Sequence, residues 1–424
     1  MLHALARLFR RVLPAAIIGM LAGRVSAQSQ APPSRFLVDA LHAPGKDVTI
    51  SLLTAGNGEE IWEMFGHSAI WIHDNVTARD TVFNWGVFDS TKPNFILHFL
   101  KGLMLYQMGG NTIDQLINGY RYMNRTLVSQ ELDLTTQQKD SLLHLIQINA
   151  EPRNIVYRYD YFRNNCATRP RDLFDAVLGG QLHEFSKQIM PTSYRFHALR
   201  LMQSNTLLDL GVDIGLGEPS DAPIHRWDEM FLPREMHDIL AKMPVHDSTG
   251  ATHPLVKAEH VLFQSTRGPE PEAPPNMAPW LLAVGLVIGG VFAWLGARAI
   301  AGKHGASAAA AVLFGVWSLV AGLLGVVLTI LWTVTDHDFA HRNENLLLFN
   351  PLWLLLVVLL PLALMRGRAA AFARRLSMAL AVLTVLGLVA HLVLLSRQTN
   401  LALVGLALPP ALAIAWTMRR MQSR

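Results

Sequence analysis

Apolar and polar residues alternate differently in the two parts of the chain. Up to residue 266, short apolar runs are separated by polar and glycine-containing segments, whereas after residue 278 the apolar stretches are long. In the first part, alternation with a period of two is typical of half-buried β-strands. It predicts strands at 48–53, 68–73, 81–85 and 125–134.

Helical spacing of apolar residues appears in the same part of the chain. Residues 136–149 carry four aliphatic side chains at helical spacing, so we expect a helix there. A second helix is predicted over 171–178, where two glycines follow and end it. Residues 92–124 are expected to form a helix-and-loop segment, and another helix is expected after 230–233.

The N-terminus has the pattern of a secretory signal peptide over residues 1–27. Three arginines precede an apolar stretch, and Val25-Ser-Ala fits a small-residue cleavage site. Arg24 interrupts this pattern, so an uncleaved anchor is the alternative. The export signal predicts that residues 28–266 form an extracytoplasmic domain.

A Pro-rich linker over 267–278 precedes the strongly apolar part of the chain. Its composition predicts a stiff spacer with little ability to pack. Each apolar segment beyond it has about the twenty residues that a helix needs to cross a bilayer. The five segments are 279–297, 308–333, 346–365, 376–395 and 401–418, and a short cytoplasmic tail, 419–424, follows them.

Charge supports this membrane topology. If the first span runs from outside to inside, nine basic residues lie in the cytoplasmic loops and tail and two in the opposite loops, as the positive-inside rule requires. The nine are Arg298, Lys303, Arg366, Arg368, Arg374, Arg375, Arg419, Arg420 and Arg424, and the two are Arg342 and Arg397.

Composition narrows the function classes. The chain is 51% hydrophobic and 16% charged, with a net charge of +4, and much of the basic excess lies in loops between apolar segments. No nucleic-acid partner is therefore indicated. A single cysteine excludes an internal disulfide, so the core alone must stabilise the extracytoplasmic domain.

That cysteine, Cys166, is the first candidate for chemistry. A buried, inert cysteine is the alternative, but such residues usually lie among aliphatic side chains. Cys166 instead precedes a predicted helix within a polar stretch. Candidates in that stretch for orienting groups or binding substrate are Asp160, Asn165, Thr168, Arg169 and Arg171. We expect the backbone N–H of Cys166, with Asn165 nearby, to stabilise an oxyanion, and the two arginines to pair with a phosphate.

A cysteine nucleophile needs a base and a group that orients the base. Among the histidines of this domain, His67 stands out because a glycine precedes it and a predicted strand follows it. We expect the helix N-terminus and His67 together to lower the pKa of the thiol. Asn84 on the next strand is the first candidate for the orienting group. His73 is the second, although a straight strand puts it about 20 Å from His67.

The arrangement of a strand histidine facing a cysteine at a helix N-terminus is that of papain-like thiol enzymes. Here the histidine precedes the cysteine, which points to the circularly permuted form of that fold. The polar loop 335–345 faces the same compartment. We expect structural or substrate-docking roles for His337, Asn343 and Asn345, and no metal site or organic cofactor.

Several stretches of the chain carry a resemblance to a known family. The first is Phe65-Gly-His-Ser-Ala-Ile, which contains His67. The others are 82–89, 99–106, 157–169, 230–233 and 336–351. Together they resemble the Lnb-type periplasmic domain and its membrane portion, and the likeness covers nearly the whole mature chain.

That family is similar to permuted NlpC-type and lecithin:retinol acyltransferase-like thiol enzymes. The resemblance implies an α+β, circularly permuted papain-like domain in the periplasm, followed by an all-α membrane domain of five helices in the bacterial inner membrane. Members with this membrane portion are implicated as lipoprotein N-acyltransferases. By that likeness, Cys166 would be the nucleophile and His67 the base, with a phospholipid as acyl donor and a diacylated lipoprotein as acceptor.

Two alternatives remain open from the sequence. A peptidoglycan amidase of the NlpC kind would use the same pair, but it would not need five spans. A membrane scaffold without enzymatic activity would need neither Cys166 nor His67.

Overall fold

A computed structural model describes residues 40–89, 93–246, 250–393 and 395–421. The predicted signal peptide and the last residues of the tail lie outside the described residues. Within them, a mixed α+β domain precedes a helical domain. The strands are β1 Val48–Ala55, β2 His67–Asp74, β3 Arg79–Val87, β4 Leu105–Asn111, β5 Leu127–Leu132, β6 Val156–Arg158, β7 Pro244–His246, β8 Thr252–Pro254 and β9 Val256–Phe263.

The helices of the first domain are short, as expected for elements that cover a sheet. They are α1 Phe95–Lys101, α2 Ile113–Tyr122, α3 Thr136–Ala150, α4 Thr168–Val177, α5 Gln181–Phe185, α6 Tyr194–Met202, α7 Thr206–Gly215, α8 Arg226–Glu229 and α9 Pro233–Lys242. Single 3-10 turns lie at Ala40–His42, Gly45–Asp47 and Glu218–Ser220.

Among the described residues, seven strands form one antiparallel sheet in the order β6-β4-β3-β2-β1-β5-β9. One face packs against α3, α4 and α9 through residues such as Ile70 and Phe83. The other face packs against α2 through residues such as Ala69 and Val82. Alternate residues of β2 and β3 therefore point into different cores, which explains why their apolar pattern is nearly continuous.

The period-two prediction is confirmed for β1, β2, β3 and β5, and the helical spacing for α3 and α4. No pattern predicts β4 or β9. Residues 105–111 include two glycines and no alternation, and the strand exists because β3 and β6 supply its hydrogen bonds from both sides. Pairing between distant segments overrides the weak local preference here.

The second domain consists of apolar helices. They are α10 Ala278–Ile300, α11 His304–Thr333, α12 Trp353–Arg366, α13 Ala370–Leu392 and α14 Leu401–Arg420. In the described part of the chain, four of them are long and apolar enough to cross a membrane, and α12, with 14 residues, is shorter. The third predicted segment differs because a 3-10 turn, Glu344–Leu347, and Pro351 take up its first part.

The two domains are joined by more than the linker. The linker itself packs against the first domain, although its composition predicts a stiff spacer with little ability to pack. Arg200 donates a hydrogen bond to the Pro271 carbonyl at 2.9 Å and faces the Glu270 carboxylate at 3.6 Å. Arg200 is almost fully buried, and a buried charge requires polar partners. The Pro271 carbonyl of the linker is one of these partners.

Candidate active site

His67 is the first residue of β2 and is set by the glycine before it. Gly66 adopts φ +80°, and a Cβ added there would lie 2.8 Å from the carbonyl oxygen of Ala55, the residue paired with His67. Another residue would therefore combine backbone strain with a clash. The Gly-His sequence is thus a structural requirement for starting β2 beside β1.

The imidazole of His67 is bound to Asn84 on β3. His67 Nε2 lies 3.1 Å from Asn84 Oδ1, and Asn84 Nδ2 donates to Asn111 Oδ1 at 3.0 Å. Because the Asn84 NH2 group donates to Asn111, the Asn84 oxygen faces His67 and accepts a hydrogen bond from the Nε2–H group. Nδ1 is then the nitrogen with a free lone pair, as a general base requires.

Cys166 lies in the turn that starts α4, and Asn165 organises that turn. Asn165 Oδ1 accepts hydrogen bonds from the N–H groups of Ala167 and Thr168, both at 2.9 Å. Its Nδ2 donates to the carbonyls of Tyr161 and Phe231. These bonds use both side-chain amide protons, so the Asn165 side chain has no proton left to donate to an oxyanion. Asn165 instead fixes the backbone around the thiol.

The thiol meets the sheet where β3 changes register. The β3–β4 pairing shifts between Asn84 and Val87, and Gly86 in between adopts φ +85°. A Cβ on Gly86 would lie 3.2 Å from the Tyr159 ring and 3.7 Å from Cys166 Cβ. The missing side chain at Gly86 therefore admits both the cysteine turn and the tyrosine ring.

Backbone N–H groups surround the sulfur. The backbone N–H groups of Ser68, Cys166 and Ala167 lie near enough to the sulfur to act toward a lower pKa of the Cys166 thiol. Ser68 directly follows His67, so the thiol and the imidazole lie at the same end of β2. Both residues have intermediate solvent exposure.

The two groups are neutral at rest. Burial raises the pKa of Cys166 to about 11, although the Ser68 N–H and the Arg125 guanidinium act in the opposite direction. Burial and then Arg125 lower the pKa of His67 to about 4, against the effect of the Asn84 hydrogen bond. The expected lowering of the thiol pKa is therefore wrong, because desolvation outweighs the helix N-terminus.

The alternative orienting residue, His73, lies at the other end of β2. Its Nδ1 is 2.8 Å from the Asp80 carboxylate, in the hairpin between β2 and β3. The distance along the strand separates it from His67, as the spacing predicts. Asn84 is thus the residue that contacts the imidazole.

The remaining polar residues near Cys166 are occupied by structural contacts. Thr168 Oγ1 accepts a hydrogen bond from the backbone of Asn165, and Asp160 Oδ1 accepts two backbone bonds in its own turn. Arg169 donates to Asn164 and lies 4.1 Å from the centroid of the Tyr157 ring. Arg171 is buried and donates to the Trp227 carbonyl, so the structure offers no support for its predicted pairing with a phosphate.

The loop between α11 and α12, residues 334–352, packs against the first domain. His337 Nε2 lies 3.0 Å from the Phe99 carbonyl oxygen, and its ring stacks on Tyr161. Asn343 Nδ2 donates to the carbonyls of Ile214, Gly215 and Leu216, and Asn345 donates to Ile214. His337 joins the loop to α1 and to the segment just before Cys166, whereas Asn343 and Asn345 join it to the end of α7.

No cluster of three or more metal-ligating side chains occurs among the residues that the structure describes. The loop histidines His337 and His341 each bind a backbone carbonyl instead.

Sequence reasoning missed three residues of this site. Asn111 orients the amide of Asn84, Ser68 supplies a backbone N–H, and Arg125 is a buried cation that acts on both reactive groups. Arg125 donates to the Gly56 carbonyl and lies 3.6 Å from Glu63. Nothing in the local sequence distinguishes these residues, because their roles depend on pairing between distant strands.

Comparison with known families gives two matches. Residues 42–200 match the Lnb N-terminal periplasmic domain, and residues 275–420 match the Lnb transmembrane domain. The first match contains the cysteine, the histidine and the asparagine of the site, and the second contains the apolar helices. Comparisons with curated proteins and with solved structures gave no match.

Proposed function

Because the chain belongs to the Lnb family of membrane-associated, lipoprotein-modifying proteins, we propose that it is a cysteine-dependent lipoprotein N-acyltransferase. The membrane domain would anchor the periplasmic domain, and with it the thiol of Cys166, next to a bilayer. The acyl chain moves from a phospholipid to Cys166 as a thioester, and from there to the N-terminal amine of a diacylated lipoprotein.

One observation carries the proposal. His67 Nε2 lies 3.1 Å from Asn84 Oδ1, and the backbone N–H of Ser68, next to His67, lies near enough to the Cys166 sulfur to affect the pKa of the thiol. A nucleophile, a base and an orienting amide thus occupy one end of β2. This is the minimal set that acyl transfer through a covalent intermediate requires.

In the first half-reaction, the sulfur of Cys166 attacks the ester carbonyl carbon of a phospholipid. His67 Nδ1 takes the thiol proton as the carbon–sulfur bond forms, because neither group is ionised beforehand. The carbon–oxygen bond then breaks, and the imidazolium returns the proton to the departing lysophospholipid oxygen. A thioester on Cys166 and a lysophospholipid result.

In the second half-reaction, the α-amine of the lipoprotein attacks the thioester carbon. His67 accepts the amine proton, the carbon–sulfur bond breaks, and the proton passes to the thiolate. An amide forms and the free thiol returns. The oxyanion of each tetrahedral intermediate is assigned to the backbone N–H of Cys166, which lies beside the sulfur.

The membrane domain supports this assignment of substrates. Both substrates are anchored in lipid, so an enzyme held in the same bilayer meets them without extracting either one. The proposed location is the bacterial inner membrane, with the thiol on the periplasmic side. The loop 334–352, with His337, Asn343 and Asn345, would then hold the periplasmic domain at the membrane surface.

A direct assay tests the proposal. The purified full-length protein is incubated with phospholipid vesicles and a synthetic diacylated lipopeptide, and the peptide mass is followed by mass spectrometry. We expect a gain of one acyl chain with the wild type and no gain with Cys166→Ala or His67→Ala. Val76→Ala, an exposed change in the β2–β3 turn, is the matched control. No gain with wild type, or an undiminished gain with Cys166→Ala, would refute the acyltransferase function.

A further inference from the structure

Helix α1 exposes an apolar face. Ile96, Leu97 and Leu100 are 55%, 48% and 54% exposed, and no residue of the helix is buried. At 100° per residue these three side chains lie within about 100° of one another. Leu103 and Leu105 just beyond the helix are also exposed. We call these five residues the α1 face. Such a contiguous apolar surface is unusual for water-exposed protein.

The α1 face lies beside the end of a membrane helix. The Asp336 N–H donates to the carbonyl of Lys101, the last residue of α1, at 2.9 Å. A Cβ on Gly102 would lie 2.7 Å from the carbonyl carbon of Asp336, so the two segments are in direct contact. Asp336 follows the end of α11 by three residues. The extended chain between them spans at most about 10 Å.

Exposed tryptophans lie at the two helix ends that the predicted topology places outside the membrane. Trp332 in the last turn of α11 and Trp280 in the first turn of α10 are 40% and 68% exposed. Tryptophan is enriched where membrane spans meet the interfacial layer. This layer is about 5 to 8 Å deep on each side of the hydrocarbon core. The α1 face therefore lies at or just above this layer.

A row of aromatic rings connects α1 to the thiol. Phe95 stacks on Phe88 with centroids 5.6 Å apart, and Phe88 stacks on Tyr106 at 5.1 Å. Tyr106 contacts Tyr159 at 4.6 Å, and Tyr159 is the ring that lies against Gly86 beside Cys166. A row of packed rings thus runs from α1, which contacts the segment after α11, to the residue beside Cys166.

We infer that the α1 face inserts into the extracytoplasmic leaflet and that phospholipid acyl chains reach Cys166 along the aromatic row. Lipid is the occupant because the face adjoins the outer end of the spans and carries no acidic residue. Lys101, in the last turn of α1, adds a positive charge at the edge of the face, which favours lipid phosphates. The membrane contact is independent of the proposed function, whereas the delivery of acyl chains rests on it.

Membrane insertion is tested without reference to activity. In a Cys166→Ser background, which has no other cysteine, Ile96→Cys, Leu100→Cys and Val76→Cys each receive a bimane fluorophore. The full-length proteins are placed in nanodiscs with or without doxyl-labelled phospholipid. We expect lipid quenching at 96 and 100 and none at 76, which is 73% exposed in the β2–β3 turn. Quenching by aqueous iodide at all three positions, without lipid quenching, would overturn the membrane contact.

Delivery is tested with charged variants that keep Cys166. Ile96→Glu combined with Leu100→Glu is compared with the control pair Val76→Glu and Val261→Glu, whose wild-type residues are at least as exposed. Thioester formation on Cys166 from vesicle phospholipid should fall on the order of tenfold for the first pair, since charge opposes burial in lipid. A water-soluble short-chain ester donor should react at the wild-type rate. An unchanged rate from vesicles would refute delivery along the α1 face. Absence of thioester in the wild type would refute the proposed function instead, and leave the quenching result valid.

Discussion

The neutral resting state of the reactive pair makes a quantitative prediction about the cysteine. With a pKa of about 11, Cys166 is about one part in ten thousand thiolate at pH 7. A free cysteine with a pKa near 8.5 is about 3% thiolate at the same pH. Ionisation alone should therefore make alkylation of Cys166 about 300-fold slower than that of an exposed thiol.

The perturbation is pH, and the assay is alkylation by iodoacetamide followed by intact-protein mass spectrometry. Since Cys166 is the single cysteine, every adduct reports on it. Thiolate is the reactive form, so the logarithm of the rate should rise by about one per pH unit from pH 6 to pH 10, without a plateau. The slope distinguishes ionisation from steric protection, because limited access lowers all rates by the same factor.

Two variants serve as controls. His67→Ala should leave the slope unchanged, because burial holds the pKa of His67 near 4 and the imidazole is neutral over this range. Arg125→Gln should slow alkylation further, since Arg125 lowers the pKa of the thiol. A plateau between pH 5 and pH 8 that disappears in His67→Ala would mean a resting thiolate–imidazolium pair. That result would refute the desolvation argument and the concerted proton transfer derived from it.

Three further substitutions test the geometry. Asn84→Asp puts a carboxylate 3.1 Å from the imidazole, which should raise the pKa of His67 by about 1 to 3 units; the acid limb of the pH–rate profile should move up, and an unmoved limb contradicts the contact. Gly86→Ala forces a Cβ into the left-handed region against a tyrosine ring, so thermal unfolding should show a loss of about 1 to 3 kcal/mol. Gly211→Ala, with open space around it, should show no loss, and equal effects would contradict the argument. Asn343→Ala removes the donor to the carbonyls of residues 214–216 and should destabilise the contact between the loop and α7 by about 1 to 3 kcal/mol. Unchanged hydrogen exchange at 214–216 would contradict a role of Asn343 in holding this contact.

Local patterns were sufficient for the elements that carry the site. The period-two alternation identified β2 and β3, and the paired glycines identified the end of α4. Cys166, His67 and Asn84 could be selected because each lies at a distinctive point of such an element. The same approach failed for β4, since its partners are distant in sequence, and it therefore missed Asn111.

The third apolar segment shows a second limit. Its composition is that of a span, but Pro351 and the docked loop before it shorten the helix to 14 residues. Hydropathy depends only on how many residues of a segment are apolar. It does not include the hydrogen bonds of Asn343 and Asn345 to the first domain, which keep the loop before α12 from being helical.

The sequence by itself determined the division into a globular domain and an apolar helical domain, the strand and helix that carry the reactive pair, and the family. These follow from periodicity, run length and motif, which are local properties of the chain. The tertiary structure decided the protonation of Cys166 and His67, the loss of Asn165 to a structural role, and the position of the α1 face beside α11. Each of these depends on desolvation or on contacts between segments far apart in sequence, and neither quantity is defined until the chain has packed.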